Sequence, residues 1–211
     1  MTAAAELMAR AELYSLLAKA LAYPEAALRE AFLSGGFLEQ VREAVTQLSP
    51  RESLLAAIQS LKAAVEEVAL APGGLEAEHT CLFARQVLCP PNEASYGTDA
   101  TFGGVGEIAD VASFYAAFGF QVAPEAKQLP DHACVVLVFV AALYAKEAYA
   151  VEQGWSERAD LCVRAREKFL KEHLGRWFPA FAARLRELAQ LGFYPAVAGL
   201  AQAALFPGAS P

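Results

Sequence analysis

The chain has 211 residues, enough for one domain or two small ones, and 17 Lys+Arg against 24 Asp+Glu give it a formal charge of −7. This balance argues against a general nucleic-acid binder, which needs a basic face to displace counterions from phosphates, and against electrostatic docking on anionic lipid. With 56% hydrophobic and 19% charged residues the chain is too apolar to be disordered, and a partner-binding groove is one outlet for its surplus apolar surface.

Apolar residues recur at helical steps almost throughout. Leu7, Ala11, Tyr14, Leu17, Ala18 and Leu21 form one stripe, with Glu6, Arg10 and Lys19 outside it. These charges and Glu12 also break the apolar block that a secretion signal requires. Tyr23-Pro24 ends the helix, because the residue before a proline avoids the helical basin. Helices follow over about 25–33 and 37–48, separated by Ser34-Gly35-Gly36. Ser49-Pro50-Arg51-Glu52 is a start signal: Ser49 can cap, Pro50 suits the first helical position, and Glu52 can close a capping box. The helix it opens runs to about Leu70, where Pro72-Gly73-Gly74 stops it, and another spans about 75–85.

The character changes over 88–106. Pro90, Pro91, Gly97, Gly103, Gly104 and Gly106 make this a long loop, and Tyr96 and Phe102 argue for an ordered one. Such loops inside a compact domain are commonly functional. Helical period resumes at Ile108 and stops at Gly119; a second loop runs from Phe120 to Pro130. Asp131 is placed to cap the most apolar helix, about 131–153. Its uninterrupted apolar run, Ala133 to Ala145, is thirteen residues, short of the roughly 20 that a bilayer needs, so it reads as a buried core helix. Ser156 can cap a helix to about His173; Gly175 and Gly192 bracket another; a last one covers about 195–205. There is no useful strand alternation and no repeat. The fold class is all-α: one helical bundle of about nine or ten helices over residues 1–211.

No phosphate loop, dinucleotide fingerprint or nucleophile elbow occurs. Gly103-Gly104-Val105-Gly106 precedes a helix and can be an anion cradle or a plain turn. His79-x-Cys81 and Asp131-His132-x-Cys134 contain metal-ligand types, but residues i and i+2 of a helix point about 200° apart, so no metal site is expected. The four scattered cysteines fit reduced thiols acting as small hydrophobes in a cytosolic protein. Pro130-Asp131-His132 stands where a loop enters the most apolar helix. There His132 can be a hydrogen-bonded helix-start histidine or part of a peptide groove. His173 and Trp177, one helical step apart, fit inter-helix packing, and the mixed charges of 157–172 fit a solvated face.

Several of these pieces together resemble the TorD/DmsD/NarJ family of cytoplasmic chaperones that mature molybdenum-containing redox enzymes. Leu129-Pro130-Asp131-His132, leading to Leu137-x-Phe139-Val140, resembles the family's signature helix. His79-Thr80-Cys81-Leu82-Phe83 resembles its "Y-x-x-L-F" element, and Pro90-Pro91-Asn92-Glu93-Ala94-Ser95-Tyr96 its "P-P-Y-E-S-x-Y" loop. Tyr115-x-x-Phe118-Gly119-Phe120 resembles a helix end, and Phe169-Leu170-x-x-His173-Leu174-x-x-Trp177 the C-terminal "F-x-x-x-H-L-x-x-W". The five elements fall in family order over about 78–178. Val136 and Val138 stand where the signature helix often carries glutamates, and Asn92 replaces a common aromatic.

The resemblance implies a chaperone rather than an enzyme, with no cofactor of its own and no stable membrane insertion. Its implied partner is the apo catalytic subunit of a molybdopterin-dependent oxidoreductase, bound through an N-terminal signal that is often a twin-arginine one. Asp131 and His132 match positions tied to signal binding, and Pro91, Glu93, Ser95 and Tyr96 match the loop beside them; Pro130 adjoins both. Charge complementarity points to an acidic rim from Asp131, Glu93, Asp99, Glu107 and Asp110, with apolar wall from Tyr14, Phe83, Phe102 and Tyr115. The absent glutamates leave open a client without paired arginines. Two other classes stand beside this one: an all-α metal- or nucleotide-dependent enzyme using His79, Asp131 and His132, and an oligomeric scaffold. Monomer and homodimer are both compatible with the sequence.

Overall fold

A computed structural model of the chain describes residues 2–49, 51–97 and 105–207. Pro50, Asp99, Phe102, Gly103 and Gly104, which entered the sequence reading, lie outside the described residues. The described elements are helical. They are α1 (Ala3–Leu21), α2 (Ala26–Leu33), α3 (Gly36–Thr46), α4 (Glu52–Ala69), α5 (Gly74–His79), α6 (Val105–Ala117), α7 (Ala133–Glu152), α8 (Ser156–Phe169), α9 (Gly175–Leu188) and α10 (Phe193–Leu205). π-helical turns extend two of them, over Thr80–Arg85 after α5 and over Leu170–Leu174 between α8 and α9.

The most extensive contact in the bundle is α1 against α7. The sequence stripe of α1 is too narrow: Ala9, Leu13, Leu16 and Ala20 are buried as well as Tyr14, Leu17 and Leu21. A helix apolar on most sides belongs in the interior, and α1 touches α3, α7 and α10. The Tyr14 hydroxyl donates to the Ala204 carbonyl of α10 at 2.8 Å, and its ring stacks on Tyr144 of α7 at 5.5 Å. α7, at 20 residues and mean hydropathy 1.8, is long and apolar enough to cross a membrane by composition; here it lies along α1 as the core helix the sequence suggests. Arg166 of α8 ion-pairs with Glu147 of α7 and covers the Tyr144 ring at 4.0 Å.

Several boundaries depart from the sequence reading. α4 starts at Glu52 with Arg51 rather than Ser49 at its N-cap, and the Arg51 guanidinium donates to the Thr46 carbonyl at 2.7 Å, bridging back to α3. Trp155, not Ser156, is the N-cap of α8, and its side chain makes no capping bond. Gly175 does not break the chain: α8, the π turn and α9 run on without a gap. The wide turn brings the Leu170 carbonyl to 2.8 Å from where a Cβ at 175 would stand, so only glycine fits there. α10 is instead started by remote carboxylates. Glu67 of α4 accepts from the Gly192 amide at 2.8 Å, and Glu78 of α5 accepts from the Leu191 amide at 2.8 Å and from that of Gln190. These bonds hold the amides of the turn that leads into α10, up to its N-cap Gly192.

Candidate functional site

The segment Leu88–Gly97 is fastened to the start of α7. Asn92 and His132 form an antiparallel β-bridge: the Ala133 amide donates to the Pro91 carbonyl at 2.7 Å, and the Glu93 amide to the Asp131 carbonyl at 3.2 Å. Asp131 is fully buried, and both carboxylate oxygens are used: Oδ1 accepts from Asn92 Nδ2 at 2.9 Å and Oδ2 from the Ala94 amide at 3.1 Å. It staples the loop rather than capping α7. The cap is His132, whose Nδ1 accepts from the Cys134 amide at 3.1 Å. An accepting Nδ1 must be unprotonated. Burial pushes the His132 pKa down to about 4, against the opposing pull of the Asp131 charge.

Neighbouring elements tighten the same staple. The Tyr115 hydroxyl of α6 donates to the Pro130 carbonyl at 2.6 Å, and burial raises its pKa. The Tyr96 hydroxyl donates to the Pro90 carbonyl at 2.9 Å, and its ring lies 5.6 Å from that of Trp177 on α9. Glu93, buried, meets Nδ1 of buried His173 in the π turn at 3.0 Å, and Asp110 of α6 stands 3.7 Å from the other ring nitrogen. His173 and Trp177 therefore pack between helices, as the sequence suggests, and also hold the loop from behind.

The structure thus gathers Pro91, Glu93, Tyr96, Tyr115, Pro130, Asp131 and His132 into one clamp, with Ser95 exposed on its outer turn. Phe83 lies behind it, in an aromatic cluster with His79 at 4.9 Å, Tyr194 at 5.1 Å and Phe181 at 6.2 Å. Tyr14 is not brought to the clamp; it is consumed between α1, α7 and α10. Of the expected acidic rim, Asp131 and Glu93 are buried and bonded, Glu107 faces Gly97, and Asp110 remains exposed beside His173. Among the described residues no three His, Cys, Asp or Glu groups converge to hold a metal. All four cysteines are free, and burial pushes the Cys89 thiol up to about 11 and that of Cys134 up to about 12.

Beside the clamp an open apolar groove of about 330 Å³ runs between α7 and the Phe120–Pro130 strap. Tyr115, Phe120, Val122, Val135, Val138 and Phe139 are among its walls, and no charged side chain lines it. Phe139 forms the floor, 4.6 Å from the Tyr115 ring and 6.1 Å from those of Phe118 and Phe120. Val138 stays 54% exposed. The volume is about twice the ~150 Å³ cavity that admits a benzene ring, so two large apolar side chains fit. Of the binding residues expected from the sequence, only Tyr115 lines this groove; Phe120, Cys134, Val138 and Phe139 also line it and enter the sequence reading only as parts of motifs. The signal was present in Val135, Val138, Phe139 and Ala142, an i, i+3, i+4, i+7 stripe on a helix whose opposite face is also apolar.

A family described as nitrate reductase delta subunit matches residues 49–183. The selenate reductase assembly chaperone protein of Thauera selenatis is 33% identical over 100 residues, covering 46% of this chain and 51% of that protein. The perchlorate reductase assembly chaperone protein of Dechloromonas aromatica (strain RCB) is 26% identical over 208 residues, 92% of this chain and 86% of that protein. The chaperone protein TorD of Vibrio cholerae is 36% identical over 87 residues, 41% of this chain and 38% of that protein. The chain thus spans about half the length of the first of these relatives and most of the second.

Proposed function

The chain belongs to the nitrate reductase delta subunit family, and from that membership we propose that it is an assembly chaperone for the catalytic subunit of a molybdopterin-dependent oxidoreductase. It acts in the cytoplasm and without catalysis, holding the N-terminal segment of the apo subunit until the cofactor is inserted. The relatives named as assembly chaperones for selenate and perchlorate reductases support the client class.

The observation that carries the binding role is the groove: an apolar surface held open beside a clamp of buried polar groups. Preorganisation of this kind lowers the ordering cost of binding. Seating two large apolar side chains there contributes about 3–6 kcal/mol before association costs, the scale of a reversible peptide site. Asp131 and His132 serve it as framework, fixing where the loop and α7 meet.

The test is co-purification from the native host's cytosol, with bound proteins identified by mass spectrometry. The tagged chain should retain one large molybdopterin-binding subunit in its cofactor-free form. A Val138→Asp chain, altered only at an exposed groove position, should lose it. Equal retention by both chains would move the client off the groove, and no such subunit on either would remove the chaperone reading.

A further inference from the structure

The charges around the groove indicate which flanks a bound segment carries. Val138 and Phe139 present hydrocarbon at its centre. Lys146, one turn beyond Ala142 on α7, is exposed, and its Nζ stands 4.9 Å from the ring centroid of Phe120, a groove wall. The strap adds Lys127, at φ +50°, and Glu125 from the short 3₁₀ turn Pro124–Ala126. Lys127 and Glu125 are both exposed on the strap, and Lys146 stands against the groove wall at Phe120. Of the acids expected to form a rim, Asp131 is held in the loop staple and Glu93 by His173, while Glu107 and the exposed Asp110 are not among the groove walls.

We propose that the groove seats an apolar segment of the client flanked by carboxylate rather than by guanidinium, with Lys146 and Val138 setting that preference. This rests on the groove being the client-binding face. An arginine flank meets Lys146 with like charge and, among the described residues, finds no carboxylate in the groove walls, while an acidic flank gains an exposed ion pair with Lys146. A leader with paired arginines is then held by its apolar stretch, its arginines left in solvent.

The probes are two short synthetic peptides with one Leu/Phe-rich core, labelled with fluorescein, flanked at both ends by glutamates in one and by arginines in the other. Anisotropy with the full chain is read at physiological ionic strength, where the Debye length is about 8 Å and the overall charge of −7 is screened beyond the rim. The glutamate peptide should bind about two- to fivefold tighter, the scale of one exposed ion pair. Lys146→Glu should reverse the order. Val138→Glu, at a position exposed enough to accept it, should favour the arginine peptide too. Equal affinities, or tighter binding of the arginine peptide by the unaltered chain, would overturn the preference and leave the groove standing. Binding of neither peptide would overturn the groove as well.

Discussion

The α1–α7–α10 interior and the clamp-and-groove face handle polar and apolar groups in opposite ways. Along α1 the apolar residues other than Ala3 and Met8 are buried or half-buried, and Glu12 and Lys19 are outside. At the face, Asp131, His132, Glu93 and His173 are buried, and Val138 is open to solvent. The interior is held by area removed from water, which depends little on direction. The clamp is held by directed hydrogen bonds, each of which fails if its partner moves by an ångström or two. The acids and histidines picked out from the sequence are therefore engaged within the chain here, and the apolar residues of the groove stand open beside them.

The largest expected effect breaks the clamp. Asp131→Ala leaves Asn92 Nδ2 and the Ala94 amide without their carboxylate, a cost of about 4 kcal/mol from two charge-assisted bonds. The urea midpoint should fall, and amide exchange at Ala94 should rise more than that of α1. A uniform rise across both regions would show that clamp and interior unfold as one unit.

Next comes acid. Because the folded pKa of His132 is about 4 and its ordinary value 6.5, the folded state disfavours protonation. Its contribution is whole above pH 6.5 and is lost as pH falls from there towards 4, by at most about 3 kcal/mol. His132→Asn, which can still cap α7, should flatten that window in denaturant titrations at stepped pH. An unchanged slope would place the acid sensitivity elsewhere. The smallest effect separates the two regions. Tyr14→Phe removes one buried bond to Ala204 and should cost about 1 kcal/mol, with peptide affinity in the groove unaltered. A loss of affinity would mean that the interior and the face are coupled.

Much of the fold is legible in the residues, because helical periodicity and Gly or Pro punctuation are local. Gly35, Gly73, Gly119 and Gly154 all sit at positive φ beside helix ends, where their lack of a Cβ suits them. Gly175 misled, since it answers the carbonyl of Leu170 in a π turn rather than a chain reversal. Asp131 and His132 were identifiable as important, but their division of labour was not. Which one caps α7 depends on where the loop at 92–94 sits, and that loop is 37 or more residues away in sequence.

The sequence by itself determined an all-helical chain and membership in a chaperone family, since spacing and residue type are written along the chain. Only the tertiary structure decided that the acids at the clamp face inward while Val138 faces out. Burial and hydrogen-bond partnership are properties of what lies opposite a side chain, and here the opposite groups come from remote stretches: the loop at 92–94, the π turn at 170–174 and the strap at 120–130.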